Sequence, residues 1–114
     1  MTCQLTFAEL QAANAIRQRE WDPGNQIELA FRGNELAGEV GEACNIIKNL
    51  ERERLGIRGS RATKAELAEE LADIIICVSL IAMHENVELG SAVRDKFNAT
   101  SRRYSLKTLI SETI

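Results

Sequence analysis

The sequence predicts an all-α fold, a four-helix bundle, on three observations. Its only proline is Pro23, no run sustains strand-like alternation, and apolar residues recur at steps of three and four through most of the chain. Thr6 to Glu9 ("TFAE") has the pattern of a capping box, with Leu5 and Leu10 placed as a hydrophobic staple, and opens helix 1. That helix ends at "WDPGN", Trp21 to Asn25, where proline and glycine punctuate the chain. Helix 2 is expected from about Gln26 to Arg54, with its apolar stripe on Leu36, Val40, Ala43, Ile47 and Leu50. The segment "GIRGSRA", Gly56 to Ala62, reads as a loop. A second capping box, Thr63 to Glu66 ("TKAE"), opens helix 3, whose core stripe is Leu67, Leu71, Ile74, Val78 and Ile81 and which ends near Asn86. Helix 4 spans roughly Leu89 to Tyr104, and residues 105–114 form a short tail.

Helix 3 carries a second apolar face of Ile75, Ile76, Leu80 and Met83. A helix that is apolar on most sides is buried on most sides. The remaining helices of one subunit would hardly cover it, so the core is expected to be completed by homo-oligomerisation, as a dimer or a tetramer. The simpler alternative makes helix 3 the central helix of a monomer.

A chain of 114 residues is expected to form one domain, residues 1–114. The net charge of −3 argues against a nucleic-acid polymer as partner, since phosphate binding needs a basic surface. The three cysteines, Cys3, Cys44 and Cys77, are odd in number and widely spaced. They suggest neither a disulfide framework nor a zinc site, and Cys44 and Cys77 read as small core residues. The N-terminus lacks a basic region followed by an apolar run, so no secretory leader is expected. No apolar stretch is long enough to span a bilayer. A soluble, cytoplasmic protein is expected.

The chemistry-bearing pattern lies on helices 2 and 3. With Leu36 as zero, Glu39 falls about 60° to one side of the stripe and Glu42 about 120°. On helix 3, with Leu67 as zero, Glu70 and Asp73 fall at the same two offsets. If the two helices pack antiparallel through their stripes, these carboxylates converge along one edge. Four carboxylates together are destabilising unless countered by cations. Hard divalent ions with oxygen ligands are the remedy, and magnesium is commonly held by a few carboxylates plus substrate phosphates. A solvated acidic face is the competing reading for any single pair; two phase-matched pairs on neighbouring helices favour the metal. Glu35, one turn before Glu39, is placed to join the metal site or to act as a base beside it. Glu66 is accounted for by its capping box, Glu69 points toward solvent, and Glu53 reads as a surface residue.

"GEVGEA" from Gly38, followed later by "EELAD" ending at Asp73, resembles the E-x-x-E…E-x-x-D signature of MazG-like nucleoside triphosphate pyrophosphohydrolases. The likeness extends through "VRDKFNATSRRY", Val93 to Tyr104, and covers about Phe31 to Tyr104. The resemblance implies a homo-oligomeric helical bundle that uses Mg2+ to split a (deoxy)nucleoside triphosphate into the monophosphate and pyrophosphate, a house-cleaning activity. It implies that Glu39, Glu42, Glu70 and Asp73 are the metal ligands. Many members carry two adjacent glutamates at the start of the first pair; here Gly38 takes the first place, which leaves the water-activating base open between Glu39, Glu35 and the metal alone.

The chemistry suits these residues. A triphosphate is polyanionic, so carboxylates need an intervening cation to bind it. Cationic side chains are expected to neutralise the outer phosphates, with Lys96, Arg102, Arg103 and Lys48 as candidates and Asn98 as a neutral donor. Trp21 or Phe31 is placed to stack on the base, and Asn34 to read its edge. A di-iron carboxylate bundle needs two Glu-x-x-His motifs, which a chain with one histidine cannot supply. The non-enzymatic alternative is a helical interaction module whose acidic edge docks a basic partner. Such a module would be indifferent to magnesium.

Overall fold

The computed structural model describes residues 3–58 and 61–111; residues 59–60 of the expected loop and 112–114 of the tail lie outside the described residues. Four helices follow in order, α1 (Phe7–Trp21), α2 (Leu29–Leu55), α3 (Lys64–His84) and α4 (Leu89–Arg103). The α1 cap forms in half: Thr6 Oγ1 accepts from the Glu9 backbone N–H at 3.1 Å, and Leu5 stays exposed beside half-buried Leu10. The α3 capping box closes fully. Thr63 Oγ1 accepts from the Glu66 N–H at 3.1 Å, and the Thr63 N–H donates to Glu66 Oε1 at 3.0 Å.

The turn after α1 is tied by Asp22, whose Oδ2 accepts from the Ile27 N–H at 2.7 Å. Backbone hydrogen bonds from Gln26 and Ile27 hold its carboxyl below the usual range. With that tether in place and Glu28 extended as the N-cap, α2 starts at Leu29 and not near Gln26. The far end of α2 closes on Gly56 at φ 70°, a left-handed position that suits glycine. The Ile57 N–H reaches Arg52 O at 2.9 Å and the Gly56 N–H reaches Glu53 O at 3.1 Å, a Schellman closure. Asn86 and Ser105 end α3 and α4 in the same way, with Val87 bonded back to Ala82 and Leu106 back to Ser101, each at 2.8 Å.

α2 and α3 pack as an antiparallel hairpin. Glu53 Oε1 accepts from the Ala62 N–H at 2.9 Å near the loop, Glu39 lies by Asp73 midway, and Glu35 meets Cys77 beyond. α3 is the central helix, flanked by α1 and α2, while α4 packs against α1. This arrangement half-buries Ile76, Leu80 and Met83 within the chain, but leaves Leu71 and Ile75 exposed. The inner face of α2 is rotated from the expected stripe. Leu36, Ala43 and Leu50 do turn inward, whereas Val40 and Ile47 are 40% and 50% exposed. Arg32, Glu39, Ile46 and Asn49 take their places on the buried side. Cys44 lies on the outer side and is exposed, a correction to its expected core position; Cys77 is buried as expected.

The single chain is open. Its Cα radius of gyration is 17.4 Å, against about 13 Å for a compact chain of this length. Its accessible surface is 8883 Å², where a compact monomer of this mass exposes about 6,200 Å². Val40 and Ile47 on α2, Leu71 and Ile75 on α3, and Val93 and Phe97 on α4 are among the large side chains left in solvent. Among the described residues no helix is long and apolar enough to cross a membrane.

The tail is ordered back onto α4 by Asn98. Its Nδ2 donates to Ile110 O at 2.8 Å and its Oδ1 accepts from the Ile110 N–H at 2.7 Å. Asn98 is fully buried. Asn98→Ala therefore releases this segment, and tryptic cleavage after the exposed Lys107 is expected to accelerate about 5-fold or more, on the scale of losing two buried hydrogen bonds. Timed proteolysis read by mass spectrometry checks it.

Candidate metal centre and cleft

The antiparallel hairpin brings three of the four paired carboxylates into one cluster. Glu39 on α2 and Glu70 and Asp73 on α3 each offer a carboxylate oxygen, all within 4.8 Å of one another. Rotation of α2 is what brings Glu39 in, since the turn that exposes Val40 swings its neighbour onto the α3 side. Glu39 and Glu70 are half-buried and Asp73 is exposed. Glu42 is exposed and stands outside this tightest group, yet its carboxylate acts on both Glu39 and Glu70.

The electrostatics record the crowding. Partial burial raises the Glu39 carboxyl above its ordinary value, and the charges of Glu42 and Asp73 raise it further. Glu70 is pushed up to about 7, first by burial and then by contact with Glu42 and the charges around it. Buried Oε2 atoms of both Glu39 and Glu70 have no hydrogen-bond partner. Unmet, buried carboxylate oxygens are rare in folded proteins and call for an explanation such as a bound water or ion. The donors are all oxygens, a set that suits a hard divalent ion such as magnesium or manganese.

The cluster opens at one end into a cleft of about 330 Å³ between α1, α2 and α3. Trp21 and Phe31 stand at its mouth, 72% and 54% exposed. Glu35, Glu39 and Asp73 face it, with Cys77 and Leu80 of α3 behind them. Glu35 is excluded from the cluster proper and is instead fixed by Arg32, whose Nη1 donates to Glu35 Oε1 at 3.0 Å. The other arm of the guanidinium, Nη2, donates to Gln18 Oε1, so the buried Arg32 bridges α1 to the acidic hairpin. Burial pushes the Cys77 thiol up to about 11, helped by the charges of Glu35 and Glu39, which keeps it protonated against the Glu35 carboxylate.

Other residues singled out from the sequence fall elsewhere. Asn34 and Lys48 on α2, and Lys96, Arg102 and Arg103 on α4, are exposed and outside the cleft lining. The Arg103 guanidinium sits over the Tyr104 ring, 5.4 Å from its centroid. Asn98 does not face the cleft, because its amide is committed to Ile110. In their stead the cleft is lined by groups the sequence reasoning missed: Asn14, Arg17 and Gln18 of α1 and Arg32 of α2. A signal for two of them was present. Asn14, Gln18 and Trp21 are spaced i, i+4, i+7 and so share one face, and polar residues on the inward face of a helix ask for a partner.

No family model matches the chain. Over 93 residues it is 32% identical to dCTP pyrophosphatase 1 of Bos taurus, an alignment covering 81% of this chain and 54% of that protein. The chain thus spans about half the length of the curated relative it matches. This similarity and the four-helix, all-α fold are consistent with the MazG-like superfamily.

Proposed function

We propose that the protein is a magnesium-dependent nucleoside triphosphate pyrophosphohydrolase that cuts the α–β phosphoanhydride of a (deoxy)nucleoside triphosphate, releasing the monophosphate and pyrophosphate. Removal of unwanted nucleotides from the dNTP pool is the role that fits such an activity. One observation carries the reading. Carboxylates with unmet buried oxygens converge where a cleft walled by two exposed aromatic rings opens. The similarity to a dCTP pyrophosphatase supports it independently.

Glu39, Glu70 and Asp73, with Glu42 beside them, would hold the ion. When bound there, magnesium supplies the positive charge that a polyanionic substrate needs and polarises its phosphoryl group. Glu35 is the base we assign: it lies one turn from Glu39, outside the ligand cluster, and takes the proton of the attacking water on a carboxylate oxygen while Arg32 holds the side chain in place. Trp21 and Phe31 stack on the base. Arg17 and Arg32 place positive charge along the cleft wall. Lys48, Lys96, Arg102 and Arg103 are outside the cleft of their own chain and meet the outer phosphates only from a second copy. The homodimer or homotetramer we propose accordingly completes both the core and the site, and the apolar side chains left in solvent support it.

Incubating the purified protein with normal and modified nucleoside triphosphates plus magnesium, then separating the products, tests the reading. Monophosphate and pyrophosphate in equal amounts, lost on chelation with EDTA, are expected. Release of single inorganic phosphate, or nucleotide binding indifferent to magnesium without turnover, would overturn it.

A further inference from the structure

We infer that Gln18 of α1 is a positioning residue for the proton-accepting Glu35, acting through Arg32. The inference rests on the hydrolytic reading above and goes beyond it in naming what fixes that carboxylate. The Glu35 side chain is 32% exposed, and an ion pair three residues apart on a helix surface holds such a chain only weakly. Arg32 is no surface arginine, however. It is 5% exposed, with Nη1 donating to Glu35 Oε1 at 3.0 Å and Nη2 donating to Gln18 Oε1. A guanidinium is a rigid planar fork, so pinning both arms fixes its plane and the carboxylate oxygen it holds. Gln18 supplies the second pin from a different helix. Its oxygen is neutral and accepts without drawing the positive charge away from Glu35. Cys77 of α3 also lies against this carboxylate, but a thiol is a weak donor, which leaves the guanidinium as the stronger hold. Accepting a proton from water needs hydrogen-bond reach, and a small misplacement costs rate steeply.

Arg32 is the wrong residue to change, because its guanidinium also lies 5.7 Å from the Phe31 centroid and lines the cleft. Its loss would disturb stacking and phosphate binding together. The test is kcat and KM of the full chain with magnesium and whichever nucleoside triphosphate is turned over fastest. Gln18→Leu, similar in volume but without the acceptor, is expected to lower kcat about 10-fold or more with KM within about 2-fold. Gln18→Glu keeps the acceptor and should hold kcat near wild type, its added charge showing in KM. Glu35→Gln should lower kcat about 10²-fold, and adding Gln18→Leu to it should cost little more, since the two act as one unit. Gln18 also lines the cleft, so direct contact with substrate is the competing role. A change in KM alone, or equal losses from Gln18→Leu with and without Glu35→Gln, overturns the inference. If Glu35→Gln is slow and Gln18→Leu is not, the base stands and only the role of Gln18 falls. If Glu35→Gln turns over normally, the base assignment and the inference fall while the activity stands. If no triphosphate is cut, all three fall.

Discussion

Glu39→Gln and Asp73→Ala are each expected to cut pyrophosphate release by at least about 10²–10³-fold, the scale of removing one preorganised electrostatic group from a reacting centre. Glutamine keeps the volume of Glu39 and loses only the charge and one acceptor, so the loss reports ion binding rather than packing. The metal-free fold should not suffer, because each substitution removes one of the charges that raise the Glu70 carboxyl. The expected pattern is therefore an inactive protein whose urea midpoint without metal is unchanged or higher. Glu69→Gln, next to Glu70 in sequence but exposed and away from the cluster, should retain turnover. If Glu39→Gln and Asp73→Ala both turn over normally at saturating magnesium, the assignment of the cluster is wrong.

The metal-free protein should lose stability as pH rises from about 4.5 to about 7, the interval between the ordinary and the folded-state values for Glu70. The sign follows from proton binding. In that interval the folded state holds a proton on Glu70 that the unfolded chain has released, so raising the pH favours unfolding. Above about 7 the folded cluster must carry the full negative charge, and the slope flattens. Glu39 is raised by the same surroundings and adds in the same direction. Thermal melting of the EDTA-treated protein at pH 5 and pH 8 should give the lower midpoint at pH 8. Magnesium or manganese should raise the midpoint far more at pH 8 than at pH 5, where protons already occupy the oxygens. In Glu70→Gln the metal-free pH dependence should shrink markedly. A metal-free midpoint that rises between pH 5 and pH 8 would show that the carboxylates do not repel one another in the folded state.

The pairing of Glu39 with Glu70 and Asp73 was legible because helical periodicity fixes the angles between residues on one helix, and the two pairs share a phase. The α3 start was equally legible, since Thr63 and Glu66 satisfy each other locally and need nothing from the rest of the fold. What periodicity does not fix is which way the whole helix turns. On α2, Val40 and Ile47 form as good an apolar row as Leu36 and Leu50, yet the buried face lies between Leu36 and Glu39 and carries Arg32 and Glu39 with it. Cys44 was misplaced by the same ambiguity. The cleft's polar lining was hidden for another reason. Gln18 and Arg32 meet across α1 and α2, and the shared face of Asn14, Gln18 and Trp21 on α1 does not say which residue of α2 they will meet. Asn98 illustrates the converse: its position in a family-like stretch pointed to substrate, but its partner is backbone twelve residues on, in a tail whose structure carries no periodic signal.

Because Glu39 and Glu42 belong to one arm of the α2–α3 hairpin and Glu70 and Asp73 to the other, the like charges meet as the hairpin zips shut, a local and therefore early step for a helical chain. A newly made chain in alkaline, magnesium-poor surroundings would hesitate there, with its two longest helices formed and held ajar. A divalent cation held between the two arms would relieve that repulsion while the hairpin closes, and not only once it has closed.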